Sequence, residues 1–128
     1  MKVLVIDIGG TNVKLLATGQ DTPRNFPSGP GLTPEGDDFV AGMAGVLTAA
    51  GRHDEVAALI GSDLRRRTTA LSATLLELSA RAMGPQPLQE VLAGSADALP
   101  QLLSLGHTSG RAYARGAAVG LSMVRYRR

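Results

Sequence analysis

The sequence predicts an α+β chain, with a small amino-terminal antiparallel β-meander followed by a helical body of about five or six helices. Three observations carry this. The opening segment is apolar and rich in β-branched residues. Glycine-containing turns then separate short extended segments at hairpin spacing. From Asp37 onward, apolar residues recur at helical intervals.

Lys2 to Ile8 reads as a buried strand, because Val3, Leu4, Val5, Ile6 and Ile8 are apolar. Gly9-Gly10 makes a turn, and Asn12 to Thr18 a second strand. Gly19-Gln20-Asp21 turns again, into a short third strand over Pro23 to Phe26 that proline weakens. Pro27 to Gly36 (PSGPGLTPEG) is a loop. Asp37 to Ala50 reads as a helix capped by its acidic pair, and Asp54 to Leu64 as a second. Thr68 to Met83 is a third, with Leu71, Leu75, Leu78 and Ala82 as its apolar stripe, ended by Gly84-Pro85. Leu88 to Ala93 and Asp97 to Leu105 read as short helices. Gly106 to Gly110 is a tight loop, and Ala112 to Val124 the last helix.

A chain of 128 residues holds one core of useful size. Aromatics make up only 3%, so Leu, Val and Ala must fill that core. No cysteine is present, which excludes disulfides and thiolate metal sites. His53 and His107 are isolated, so no zinc site is expected. No apolar run has membrane-spanning length, and Asp7 interrupts the first apolar segment, which is too short for a signal sequence. A cytoplasmic protein is the expectation. The basic excess sits in Arg65-Arg66-Arg67 and Arg125-Tyr126-Arg127-Arg128. With so few aromatics these read as solvated faces, and no nucleic-acid or membrane partner is expected. Three short strands are marginal alone, so association with a second copy or a partner subunit is expected.

Three glycine-rich stretches could carry chemistry. In Asp7-Ile8-Gly9-Gly10-Thr11-Asn12 the glycines would let amides approach a phosphate, with Thr11 and Asn12 adding donors. Asp7 is suited to a hydrated magnesium ion, and no other cofactor is implied. The bland alternative is a hairpin turn. Gly29 to Asp38 runs straight into a helix, where Gly31 and Gly36 allow close approach to a small anion. Asp37 and Asp38 there compete with a bare anion, unless the ligand also brings a cation, hydroxyl or amide. A Gly-Pro turn with an Asp cap is the alternative. In Gly106-His107-Thr108-Ser109-Gly110, Ser109 reads as a helix cap, and His107 and Thr108 as hydrogen-bonding groups. No acid or nucleophile beside His107 completes a triad.

The last two loops each open a helix with a small-residue stripe: Ala41, Gly45 and Ala49 in one, Ala112, Gly116 and Gly120 in the other. Such stripes permit close backbone approach. They predict that the two helices pack together with both amino termini at one end. Two separate contacts with different partners are the alternative.

Two family resemblances follow. Lys2 to Ser28, with D-I-G-G-T-N and then P-S-G-P, resembles the amino terminus of the ROK sugar kinases, polyphosphate glucokinase in particular. That resemblance implies an actin-like phosphate loop over Asp7, Gly9, Gly10, Thr11 and Asn12. The chain shows no later Asn-Asp pair for a sugar-activating base and no second phosphate loop. At most a nucleotide- or polyphosphate-binding fragment is implied.

Gly29 to Leu121 resembles the carboxy-terminal part of the DUF2877 family, through G-P-G-L-T-P-E-G-D-D-F, then Thr68, Thr69 and Ser72 as T-T-x-x-S, then G-H-T-S-G. Some members are subunits of an oxamate carbamoyltransferase. The resemblance implies a pocket for a small anionic or carbamoyl-type ligand. Gly31, Thr33, Gly36, Asp37 and Asp38 would line one side, and His107, Thr108, Ser109 and Gly110 the other. Independent catalysis is not implied. Arg111-Ala112 stands where an acidic residue is common in the family. Together the resemblances divide the chain into 1–28 and 29–128 and read it as a junction of two unrelated proteins, natural or engineered. A structural chimera without activity is the third alternative.

Overall fold

The computed structural model describes residues 4–8, 12–27 and 33–126. From Glu35 to Tyr126 the chain is helical and contains no strand. Its α-helices are α1 (Glu35–Ala49), α2 (His53–Ile60), α3 (Leu64–Arg67), α4 (Ala70–Ser79), α5 (Gln86–Leu92), α6 (Leu99–Leu103) and α7 (Ser109–Tyr126), with a 3-10 turn at Ala96–Ala98.

This overturns the α+β class. Such a fold needs a sheet layered on helices. Extended backbone at β1 (Leu4–Ile8), β2 (Asn12–Ala17) and β3 (Arg24–Pro27) pairs only with itself, in that order. Among the described residues it makes no extended contact with any helix, and Leu16 is left exposed. It is therefore no structural layer, and the domain is helical.

Local chemistry explains where helix ends depart from expectation. Asp37 and Asp38 do not cap α1. Pro34 precedes the helix, its carbonyl accepting from Asp37 N at 3.0 Å and Asp38 N at 3.2 Å, and both acids sit in the first turn, facing the positive dipole end. The expected Asp54–Leu64 helix breaks at Gly61, whose φ of +73° lies where other residues are strained. α4 begins under a Thr69 cap, whose hydroxyl accepts from Ser72 N at 3.2 Å. It ends before the predicted Gly84 stop, and Ala82 beyond it has φ +57°.

Two buried clusters hold the helices together. Ala41, Val46, Leu76, Leu88, Leu102, Tyr113 and Ala117 join α1, α4, α5, α6 and α7. Met43, Ala44, Leu47, Val56 and Ile60 join α1 to α2. The most extensive contact is between α1 and α7. A Cβ on Gly42 would lie 2.2 Å from Tyr113 O, and one on Gly116 would lie 1.9 Å from Phe39 O. One on Gly120 would meet Val46 at 3.0 Å and Met43 O at 3.1 Å. Residue numbers rise together along the two helices, so they run parallel. The α7 stripe is the expected Ala112, Gly116 and Gly120, all buried. The α1 stripe is not: Gly42 makes the close approach, while Gly45 has open space beyond its Cα and Ala49 is exposed.

Candidate functional site

Parallel packing brings helix amino termini together. Thr33, two residues before α1, donates from Oγ1 to Asp38 Oδ2 at 2.8 Å. The same hydroxyl lies 3.3 Å from Ser109 Oγ, in the first turn of α7. A third helix joins them. Thr68, just before α4, donates from Oγ1 to Asp37 Oδ2. About two turns farther along α4, Leu76 shares a cluster with Ala41 of α1, and Ala80, just past the end of α4, packs on the cluster of Ala44 and Leu47. Hence α4 also runs parallel to α1. The helices α1, α4 and α7 thus present their amino ends on one side of the bundle, and each end carries one of the three sequence motifs.

Asp38 is the centre of this arrangement, with only 2% of its surface exposed. Burial raises its carboxyl above the ordinary value near 3.8, and the charges of Asp37 and Glu35 push the same way. Hydrogen bonds from Ser109 and Thr33 oppose that rise. Tyr113, one turn into α7, is buried, and desolvation with the nearby Asp38 charge raises its phenol well above its ordinary value near 10. The phenol therefore stays protonated throughout the physiological range. Ser72 Oγ, on the first turn of α4, is buried with no hydrogen-bond partner. Leaving such a hydroxyl dry and unmatched costs about 1–3 kcal/mol.

The other expected site residues fall as follows. Gly36 is exposed, with open space around it. His107 and Thr108 are exposed, and the Thr108 carbonyl accepts from Ala112 N at 3.1 Å. Gly110 is buried, its N–H donating to Leu105 O at 2.9 Å, and a Cβ there would lie 1.9 Å from Leu102 O. Its role in the fold is to let α7 meet α6. Asp37, Asp38 and Gly110 amides thus already have protein acceptors, leaving fewer for an anion than the loop sequences suggest. Gly31 lies outside the described residues, as do Gly9, Gly10 and Thr11 of the kinase-like motif. Asp7 and Asn12 fall in β1 and β2, where Asp7 stands opposite Lys14. Among the described residues no group of three or more His, Asp and Glu could hold a metal, and no helix is long and apolar enough to cross a membrane.

Sequence reasoning did not single out Tyr113, Ser72 or Thr68 as site residues. Thr68 and Ser72 belong to T-T-x-x-S, which the family resemblance supplies as a motif without a binding role. Tyr113 offered a fainter signal, as one of two tyrosines in an aromatic-poor chain. Elsewhere, an open groove of about 970 Å³ is lined by α2, α3 and α4 residues including Val56, Ile60, Arg65, Arg66 and Glu77. It contains none of the expected site residues, and Arg65 there is paired with Glu77 at 3.1 Å.

Comparison with known proteins agrees with the motif geometry. The family model described as oxamate carbamoyltransferase subunit AllH matches residues 27–121. No curated protein and no solved structure matches the chain. The kinase resemblance of residues 2–28, and with it the reading as a junction of two proteins, finds no support in these comparisons. The matched segment spans α1 to most of α7 and contains every residue of the three-helix site, and the chain belongs to the AllH family of oxamate carbamoyltransferase subunits.

Proposed function

We propose that this subunit binds a small carbamoyl-type ligand at the joined amino ends of α1, α4 and α7. The observation that carries the reading is the contact of Thr33, Asp38 and Ser109, which joins two separated family motifs around one buried carboxylate. Three helix dipoles favour the anionic part of such a ligand. Asp37 and Asp38 disfavour a bare anion and accept from an amino or amide group. A molecule with both ends, such as carbamoyl phosphate or oxamate, fits better than inorganic phosphate. Gly36, His107 and Thr108 form the exposed rim on this reading. The chain acts as a binding subunit alongside partner subunits of a carbamoyltransferase, without turnover of its own.

Thermal denaturation of the purified chain tests this. Carbamoyl phosphate or oxamate at saturating concentration should raise the melting temperature by mass action, phosphate less so. Asp38→Asn should shift the preference toward phosphate. Equal response to all three ligands, or none, would overturn the reading.

A further inference from the structure

The outer face of α7 is used neither by the fold nor by the ligand site. One side of this helix, with Ala112, Tyr113, Gly116, Ala117 and Gly120, is buried where α7 meets α1 and α6. On the other side Arg111, Arg115, Ala118, Ser122 and Arg125 follow at spacings of three and four, and all are exposed. At roughly 1.5 Å per residue, the line from Arg111 to Arg125 is about 21 Å long. Beside it stand Val119, Leu121 and Tyr126, with 41%, 45% and 90% of their surface exposed.

Two properties set this face apart. First, it is cationic without compensation. The chain carries no acidic residue after Asp97, so α7 has none. Among the described residues Arg111, Arg115 and Arg125 make no ion pair. Arg52 and Arg65, by contrast, are paired with Glu55 and Glu77. Arg111 and Arg115 stand one turn apart, where like charges weaken a helix, so the row does not serve α7 itself. Second, the arginines are interleaved with apolar side chains. Arginine and tyrosine are the types that protein interfaces favour, and the aliphatic neighbours add surface to bury. A membrane would need the apolar side of α7, which is packed on α1. A nucleic acid would engage the arginines and leave Val119 and Leu121 unmatched.

We propose that the outer face of α7 docks another subunit of the carbamoyltransferase, which meets it with an acidic surface. Carboxylates of that subunit pair with the guanidinium forks through two hydrogen bonds each, and an apolar recess takes the Tyr126 ring. Attraction between the two charged faces steers their encounter, so association depends on ionic strength. The proposal rests on the chain's role as a subunit and is independent of its ligand.

The test uses the full chain and the other subunits of the same enzyme, purified separately, with association followed by analytical ultracentrifugation. Wild type should bind, and less tightly as salt is raised. Arg115→Glu combined with Arg125→Glu should weaken binding by about tenfold or more. Arg66→Glu, an exposed site on α3 outside this face, should change it little. Arg111 is left in place because it adjoins the ligand motif. Binding that survives the double reversal, or that falls as far with Arg66→Glu, overturns the docking face and leaves the subunit role intact. Failure of wild type to bind any of those subunits overturns both. Self-association of the chain alone, abolished by the double reversal, would give the face to a second copy. Binding of duplex DNA by wild type and not by the variant would give it to nucleic acid. Either result overturns the proposal. If circular dichroism shows the double reversal to be unfolded, Arg115→Gln with Arg125→Gln must weaken binding in the same direction, and unchanged affinity there overturns the proposal.

Discussion

Asp38 shows what a single buried carboxyl does to this domain. Its folded-state value lies above the unfolded one, so the folded chain holds the proton more tightly. Stability contributed by this group therefore falls as pH rises from the ordinary value near 3.8 through the raised value, and stays lower above it. Asp38→Asn keeps an oxygen to accept from Thr33 and removes the charge. It should raise the melting temperature at neutral pH, with a gain that shrinks toward about pH 4. Thermal melts of both proteins across that range check the sign, and a gain that grew on acidification would contradict it. Thr69 acts more locally. Thr69→Ala removes the α4 cap and should cost about 1 kcal/mol in chemical denaturation.

At the scale of the element, the α1–α7 pair depends on glycines that look alike in sequence and differ in surroundings. A methyl at Gly116 would sit 1.9 Å from Phe39 O and 3.0 Å from Met43 N, backbone atoms that can retreat only by parting the helices. Gly116→Ala should therefore destabilise by about 1–3 kcal/mol or more, and Gly116→Leu at least as much. Gly45, on the same pair of helices, has open space where its Cβ would be. Gly45→Ala should stabilise by roughly 0.5–1 kcal/mol through helix propensity alone. Urea midpoints of the two alanine variants must move in opposite directions. If Gly116→Ala behaved like Gly45→Ala, the close helix contact would be refuted.

At the scale of the molecule, α1 is the central element, packed against α7, α4 and α2. Its inner face and that of α7 should be the last to open. Hydrogen exchange followed by mass spectrometry should show the slowest amides in residues 39–49 and 112–120. The stretch 60–69, with its Gly61 break and the four-residue helix α3, should exchange faster. Faster exchange in α7 than in α3 would be at odds with this core.

Much was legible from local pattern alone. Every helix but the four-residue α3 was expected from the sequence, and the α7 stripe of Ala112, Gly116 and Gly120 follows from four-residue spacing and small size. The motifs at residues 29–38, 68–72 and 106–110 pointed to the AllH-type family before any geometry was known. Local pattern misled where it carries no information on packing. A β-branched apolar run near the amino terminus implies strands, but it does not say whether a sheet will be layered on helices, and the α+β class failed there. Glycine spacing favoured Gly45 on α1, yet Gly42 makes the contact, because a stripe's partner face depends on the neighbour's position. His107 looks chemical in sequence and is exposed, whereas Tyr113 looks like core and lies beside Asp38. The sequence by itself determined the helices, their small faces and the family motifs. Only tertiary structure decided that three parallel helices bring Thr33, Asp38, Thr68, Ser72 and Ser109 to one end, because the desolvation and pairing of a carboxylate depend on residues far apart in the chain.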